Sequence, residues 1–374
     1  MKVLHIINGL KDGGAEAILY RLCSHDKANT HAVISLMDDG KYGPLLRDAG
    51  IDVQCLNITK TRVSPLAMLR LYRMIKSFHP DAVQTWMYHA DLLGGAVARS
   101  AGYKNINWGI HTSTLDPKQS KRTTILIAGL CAKASWIVPK RVICCAQKSL
   151  DVHKALGYAP SKLIVVNNGY DLSKFFIDDN MGISVRQELQ LGTDVPLLGM
   201  VGRFDPQKDH FNLIAALAIV KRTHPQARCL LIGSGMNHDN AALMKCITDN
   251  EVENQVLLLN QRSDIPAIMN ALDLHVLSSA YGEAFPNVLN EAMACGTPCV
   301  TTDVGDSALI VAKTGWVVPP KDPHALAAAI LEAIEDKTNA PQEWAARQTM
   351  ARRRVQENFS IETMVSGYQA AWSE

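Results

Sequence analysis

The stretch Asp273-Leu-His-Val-Leu-Ser278, followed by Glu283-Ala-Phe-Pro-Asn-Val-Leu-Asn-Glu291, Ala292-Met-Ala-Cys-Gly296-Thr-Pro298 and Cys299-Val-Thr-Thr302, decides the fold. The first apolar run reads as a buried strand, the segment after Pro286 as a helix, and the last run as a second strand. Together they make half of a β-α-β unit, and in such units ligands bind at the carboxyl ends of the strands. Glu283 would stand in the loop and Glu291 inside the helix, both facing that crevice. Taken alone, both acids could be solvated charges, since Glu is common in first helical turns. As a pair bearing only on hydroxyl groups, they suggest a sugar and a ribose.

Gly202-Arg203-Phe-Asp-Pro-Gln-Lys208-Asp209 begins some 80 positions earlier and follows the apolar run Pro196-Leu-Leu-Gly-Met-Val201. Arg203 and Lys208 put fixed positive charge at a strand end, where a diphosphate can be neutralised. Gly235 closes another strand, Cys229-Leu-Leu-Ile-Gly-Ser-Gly235. One domain thus offers cations for phosphates and carboxylates for hydroxyls, the inventory for a nucleotide-sugar.

With these residues in place, the chain resembles the retaining glycosyltransferases of family 4, the group 1 type. The resemblance covers nearly the whole chain. It rests on the Glu283-x7-Glu291 element, the Gly202-Arg203-x4-Lys208 element, Asn168-Gly169-x-Asp171 and Gly13-Gly14, which stand in family order. It implies the GT-B fold, an α/β architecture of two Rossmann-like doubly wound domains facing across a cleft. It also implies roles. Arg203 and Lys208 would hold the β-phosphate. Glu283 would contact donor-sugar hydroxyls, Glu291 the ribose, and Arg262 the nucleobase. Gly13 and Gly14 would lie beside donor phosphate and acceptor, and His111 beside the donor sugar. The chain has Ala284 and Pro286 where many family members have Gly. That departure narrows the loop and leaves the donor sugar open.

The 374 residues suffice for two domains, each with its own core. Apolar content of 47% and charged content of 20% are ordinary for a globular protein. No apolar run reaches membrane-spanning length. Met1-Lys-Val-Leu-His-Ile-Ile-Asn-Gly9 reads as a first strand rather than a signal peptide. The nine Cys include no Cys-x-x-Cys pair, which favours reduced thiols and a cytoplasmic protein. Residues 1–178 hold 23 Lys and Arg against 13 Asp and Glu, a net +10, whereas residues 179–374 hold 15 against 23, a net −8. The basic half would meet an anionic surface or substrate. There is no basic stripe interleaved with aromatics and no helix-turn-helix spacing, so no nucleic-acid partner is expected. Anionic lipid or a lipid-linked diphosphate fits better, with the protein peripheral on the inner membrane face. Pro65–Phe78, with Arg70, Arg73 and Lys76, and Thr123–Lys133, preceded by Lys118, Lys121 and Arg122, read first as amphipathic core helices. A membrane-surface role is the second reading.

Alternating strand and helix patterns fill both halves, which means parallel sheets with right-handed crossovers. The expected boundaries are 1–177 for the acceptor-binding domain, 178–355 for the nucleotide-sugar domain, and 356–374 for a C-terminal helix. Asp178-Asp-Asn180 marks the link, Trp136–Cys144 reads as one strand, and the family fold implies that the last helix returns to the first domain.

Gly13 and Gly14 open a helix at Ala15, where backbone N–H groups can approach a phosphate. Glu16 in its first turn is either a dipole-complementing acid or an acceptor ligand. The backbone N–H groups of Ala284 and Phe285 could cap a ligand oxygen. Gly233 and Gly235 do not complete a dinucleotide fingerprint, because His238 stands where a third Gly belongs. Asp38-Asp39-Gly40 reads as a turn, no His/Cys metal cluster is visible, and no metal or other cofactor is expected. The expected activity is retaining transfer of a hexose or N-acetylhexosamine from a nucleotide-sugar, a UDP-sugar before others, to a hydroxyl of a lipid-linked glycan acceptor, in building surface polysaccharide such as O-antigen or capsule. A GT-B epimerase and a non-catalytic sugar-binding protein stay open.

Overall fold

A computed structural model describes residues 1–58, 64–117 and 120–373; Lys118 lies outside them. The chain divides into two units, one of Met1–Gly169 with Ile361–Glu374 and one of Tyr170–Ser360. The first boundary therefore falls at 169 rather than 177, and the C-terminal return begins at 361 rather than 356. The physical reason is local. Tyr170 bridges Ser360 and donates its backbone N–H to Phe359 at 3.0 Å, so both ends of the second unit are tied together there. Asp178 is no linker either. Its carboxylate caps a helix by accepting the N–H groups of Asn180 and Met181.

The first unit runs β1 (Lys2–Ile7), α1 (Gly14–His25), β2 (Thr30–Ser35), α2 (Tyr42–Asp48), β3 (Asp52–Cys55), α3 (Pro65–Phe78), β4 (Ala82–Trp86), α4 (Tyr88–Ser100), β5 (Ile106–Ile110), α5 (Arg122–Ser135), β6 (Arg141–Cys144), α6 (Gln147–Ala155) and β7 (Leu163–Val165). Its strands form one parallel sheet ordered β3-β2-β1-β4-β5-β6-β7. Period-two alternation sorts the side chains of β1: Leu4 and Ile6 join the core under α3, α4 and α5, whereas Val3 and Ile7 join the opposite one with Leu19 and Leu22 of α1. Trp136–Cys144 is not one strand. Helix α5 continues to Ser135, Trp136 and Ile137 are exposed, and β6 begins only at Arg141.

The second unit runs α7 (Asp179–Glu188), β8 (Leu197–Val201), α8 (His210–Val220), β9 (Arg228–Ile232), α9 (Ala241–Asp249), β10 (Val256–Leu258), α10 (Ile265–Ala271), β11 (Leu274–Leu277), α11 (Asn287–Ala294), β12 (Cys299–Thr302), α12 (Ser307–Val311), β13 (Trp316–Val318), α13 (Pro323–Asn339) and α14 (Pro341–Asn358). Its parallel sheet is ordered β10-β9-β8-β11-β12-β13. Both sheets reverse direction of growth beside their first strand, at β1/β4 and at β8/β11, and ligands bind at such switch points. The last helix, α15 (Ile361–Ser373), closes the first unit by burying Met364, Tyr368 and Trp372 in the core with Val3, Ile7 and Trp86. No helix among the described residues is long and apolar enough to cross a membrane.

Candidate functional site

At the β8/β11 switch point the fold brings two loops into contact. The loop after β8 carries Gly202, Arg203 and Lys208; the loop after β11 carries Glu283, Ala284 and Phe285. Lys208 Nζ donates to Glu283 Oε1 at 2.6 Å, and Ser279 Oγ donates to the same oxygen at 2.7 Å. Both charged side chains are nearly buried. The backbones are tied as well: Ala280 N–H donates to Gln207 O at 2.8 Å, and Ser278 Oγ donates to the carbonyls of Lys208 and Asp209, each at 3.0 Å. The Lys208 stem lies 3.6 Å from where a Cβ on Gly202 would be. Lys208 directly precedes Asp209, which caps α8 by accepting the Asn212 N–H at 3.3 Å. The partial positive charge of that helix end reinforces the Lys208 ammonium. Two buried histidines share the neighbourhood. Burial, with the Lys208 charge in support, lowers His210 to about 4 and His275 to about 3, so both rings are neutral at pH 7.

Arg203 is the exposed member. Its guanidinium meets Asp205 at 3.1 Å and Gln207 at 3.4 Å. Gly233, at φ +142°, lets the loop after β9 close on the loop after β8; a Cβ there would lie 2.2 Å from Gly202 O. Gly235 follows, and its carbonyl accepts from Asn240 Nδ2 at 2.9 Å. The Glu283 backbone is covered by Gly305, at φ +64°, where a Cβ would lie 2.2 Å from Glu283 O. Phe285 is buried edge-on against Phe359, with ring centroids 5.3 Å apart. Glu291 stands partly buried on α11, whose first residue Asn287 accepts the Tyr170 hydroxyl at 2.5 Å. Arg262 is held by two carboxylates, Asp264 at 2.7 and 2.8 Å and Glu188 at 2.6 and 3.0 Å. These hydrogen bonds, that to Asp264 first, raise its pKa and engage the edges of the guanidinium.

In the first unit, Gly13 precedes α1 and lies under the Glu16 carboxylate, with 2.3 Å between its ideal Cβ position and Oε2. A Cβ on Gly14 would meet nothing within 4 Å, so the start of α1 is open to a ligand. Burial raises the Glu16 pKa. His111 follows β5 and stacks on Trp86, with centroids 5.2 Å apart. Burial lowers it to about 4, and its Nε2 is buried with no hydrogen-bond partner among the described residues.

Two family descriptions match the chain: glycosyl transferases group 1 over residues 183–350, and glycosyltransferase family 4 over residues 12–174. The chain belongs to the group 1, family 4 glycosyltransferases. The UDP-Gal:alpha-D-GlcNAc-diphosphoundecaprenol alpha-1,3-galactosyltransferase of Escherichia coli is 27% identical over 76% of this glycosyltransferase and 73% of that protein. The glycogen synthase of Mycobacterium tuberculosis is 24% identical over 97% of this chain and 88% of its own. Anabaena HepE, solved in complex with UDP, superposes with a TM-score of 0.88 at 25% identity, covering 100% of both chains. The two doubly wound units are those of the GT-B fold.

In this glycosyltransferase, Lys208 and Glu283 were legible as separate motifs, and the structure joins them in one ion pair. Ser279 and Gln207, which steady that pair, were missed; the signal was the hydroxyl pair Ser278-Ser279 at the end of an apolar strand. Trp86 was missed because it looks like any apolar strand residue.

The fold also assembles a cluster that the sequence did not show: ligand atoms of His5, Cys23 and His31 lie within 4.8 Å of one another. Its hydrogen bonds oppose a metal. Trp86 Nε1–H donates to His5 Nδ1 at 3.2 Å, so His5 carries its proton on Nε2, 2.9 Å from His31 Nδ1. His31 Nε2 in turn faces Asp26 at 3.2 Å. A metal on His5 Nε2 would move the proton to Nδ1, against the indole N–H.

Proposed function

We infer that this glycosyltransferase moves a hexose or N-acetylhexosamine from a UDP-sugar to a hydroxyl of a lipid-linked glycan, with retention of configuration and without a metal ion, in building surface polysaccharide at the cytoplasmic face of the cell membrane. The observation that carries the reading is the nearly buried Lys208–Glu283 pair at the β8/β11 switch point, beside Arg203. A cation suited to a diphosphate and a carboxylate suited to sugar hydroxyls lie side by side there, which supports the reading. UDP in Anabaena HepE and UDP-Gal in the E. coli relative support the donor, and the diphosphoundecaprenol acceptor of that relative supports the lipid.

In this mechanism the bond between the anomeric carbon and the β-phosphate oxygen breaks, and the acceptor oxygen bonds to the anomeric carbon on the same face. The acceptor proton passes to the departing phosphate oxygen. Negative charge grows on that oxygen as the bond breaks, so Arg203 and Lys208 stabilise the transition state more than the ground state. Glu283 orients the sugar and Glu291 the ribose. Neutral His111 offers a hydrogen bond to a sugar hydroxyl and with Glu16 serves the acceptor side, while Gly13 and Gly14 lie on the donor side beside its phosphate.

The test is release of nucleoside diphosphate from a panel of UDP- and GDP-sugars in EDTA, with and without a lipid-diphosphate sugar. Acceptor-dependent release from a UDP-sugar is expected, with a product of the donor's anomeric configuration. Isomerisation or release that ignores the acceptor points to an epimerase or hydrolase. Turnover only after a divalent ion is restored overturns the metal-free assignment.

A further inference from the structure

Among the described residues, six of the eight large apolar side chains exposed on the first unit lie on one helical layer: Leu66 and Leu69 of α3, Leu126 and Leu130 of α5, and Trp136 and Ile137 just beyond it. Helices α3, α4 and α5 share the core on one face of the sheet, with Leu71 and Ile75 of α3 and Ala128, Cys131 and Ala132 of α5 pointing inward. The outward stripes have the complementary spacing. On α3 the stripe is Leu66, Leu69, Arg70, Arg73 and Lys76; from α5 it is Arg122, Leu126, Leu130, Lys133 and Ile137. All ten side chains are exposed, with Leu66 at 73%, Leu126 at 65% and Ile137 at 72%. Trp136 anchors its indole N–H on Gly157 O at 3.2 Å and leaves its ring 61% exposed.

The two helices of this face carry no negative charge; Asp116 stands before α5, and Asp151 lies beyond it on α6. Neither α3 nor α5 contains an Asp or Glu. Between residues 64 and 140 the acids are Asp81, Asp91 and Asp116; Asp91 is buried, and Asp81 accepts the Lys2 backbone N–H at 2.7 Å. Protruding apolar tips set among cations, with an aromatic ring at the edge, fit the headgroup and acyl boundary of an anionic bilayer. A second copy of the chain is a poorer occupant, since it would set two cationic faces against each other.

We propose that the outer face of α3 and α5, with Trp136 and Ile137, docks the enzyme on an anionic phospholipid surface. This deepens the functional reading, resting on it only for the claim that the acceptor is in a membrane. The leucines reach below the headgroups, and Arg70, Arg73, Lys76, Arg122 and Lys133 meet lipid phosphates. Two weak signals, apolar and electrostatic, then act together, which gives reversible rather than permanent attachment.

The experiment is co-sedimentation of the full chain with phosphatidylcholine vesicles and with vesicles containing phosphatidylglycerol, at 0.1 and 1 M salt. Run beside it are the variants Leu126→Glu/Leu130→Glu and Arg70→Glu/Arg73→Glu, with folding checked by thermal unfolding. Binding at least tenfold tighter to the anionic vesicles is expected, weakened about tenfold or more by salt and by either double variant. Both variants are expected to turn over donor with a short water-soluble acceptor at the wild-type rate. Equal binding to both vesicles, no binding, or variants that bind like the wild type overturn the proposal. So does self-association that both variants abolish without vesicle binding, because the face would then be a contact between copies. Vesicle binding in a protein that turns over no donor supports the surface and removes the enzymatic reading. Turnover without binding removes the surface and leaves the enzymatic reading in place.

Discussion

At the scale of single residues, the decisive contact is Lys208 to Glu283. An ion pair so little exposed holds because each charge has its partner and Ser279 adds a hydrogen bond. Replacing Glu283 by Ala leaves the ammonium of Lys208 buried beside two neutral histidines, which cannot compensate it. Such a loss costs about 3–5 kcal/mol of stability. Denaturant unfolding of Glu283→Ala checks this, and a variant as stable as the wild type would mean that water reaches the pair. The residue types were readable in the sequence because Gly202-Arg203-x4-Lys208 and Glu283-x7-Glu291 stand together in family order, not because any one of these charges is unusual alone. Their mutual contact was not, since 75 positions separate Lys208 from Glu283 and only the β8/β11 adjacency brings them together. Arg262 was read as a nucleobase contact by position alone; nothing in the sequence announced that Asp264 and Glu188 hold its edges.

At the scale of elements, strands were legible where apolar runs are unbroken, as in β8 and β11, and helices where the period is clean, as in α3. Trp136-Ile-Val misled because an exposed apolar turn and a buried strand start look alike in sequence. Helices α2 and α6 were expected only as helices without bounds between strands, and α7 was not anticipated. Tyr42–Asp48 is only seven residues long, and Gln147–Ala155 and Asp179–Glu188 are too polar to stand out from loops. The loops after the strands depend on backbone more than on side chains. Gly233 is the sharpest case, since an added Cβ would collide with Gly202 O and the backbone is already at φ +142°. Gly233→Ala is expected to push the Gly202–Lys208 loop off its position and to weaken UDP binding by tenfold or more. Calorimetric titration with UDP measures it, and unchanged affinity would show that the loop does not form the donor site.

At the scale of the whole molecule, buried neutral histidines tie stability to pH. His111, His153 and His210 are lowered to about 4 and His275 to about 3, in each case chiefly by burial, and His5 is lowered as well. The unfolded chain takes up protons on these rings near pH 6.5, while the folded chain does not until far lower. Their contribution is therefore whole above pH 6.5 and is lost as pH falls, by up to about 1.4 kcal/mol per pH unit for each ring. Melting temperatures at pH 7.5, 6.5 and 5.5 should fall in that order, and a flat profile would contradict neutral burial. The central claim, that the crevice at β8/β11 stabilises a departing diphosphate, is tested most directly through Arg203, whose exposure separates catalysis from folding. The measurement is kcat of Arg203→Ala on a UDP-sugar and acceptor that the wild type turns over, beside its melting temperature. The account predicts a fall in kcat of about 10²–10³-fold with an unchanged melting temperature. Turnover at the wild-type rate would contradict it.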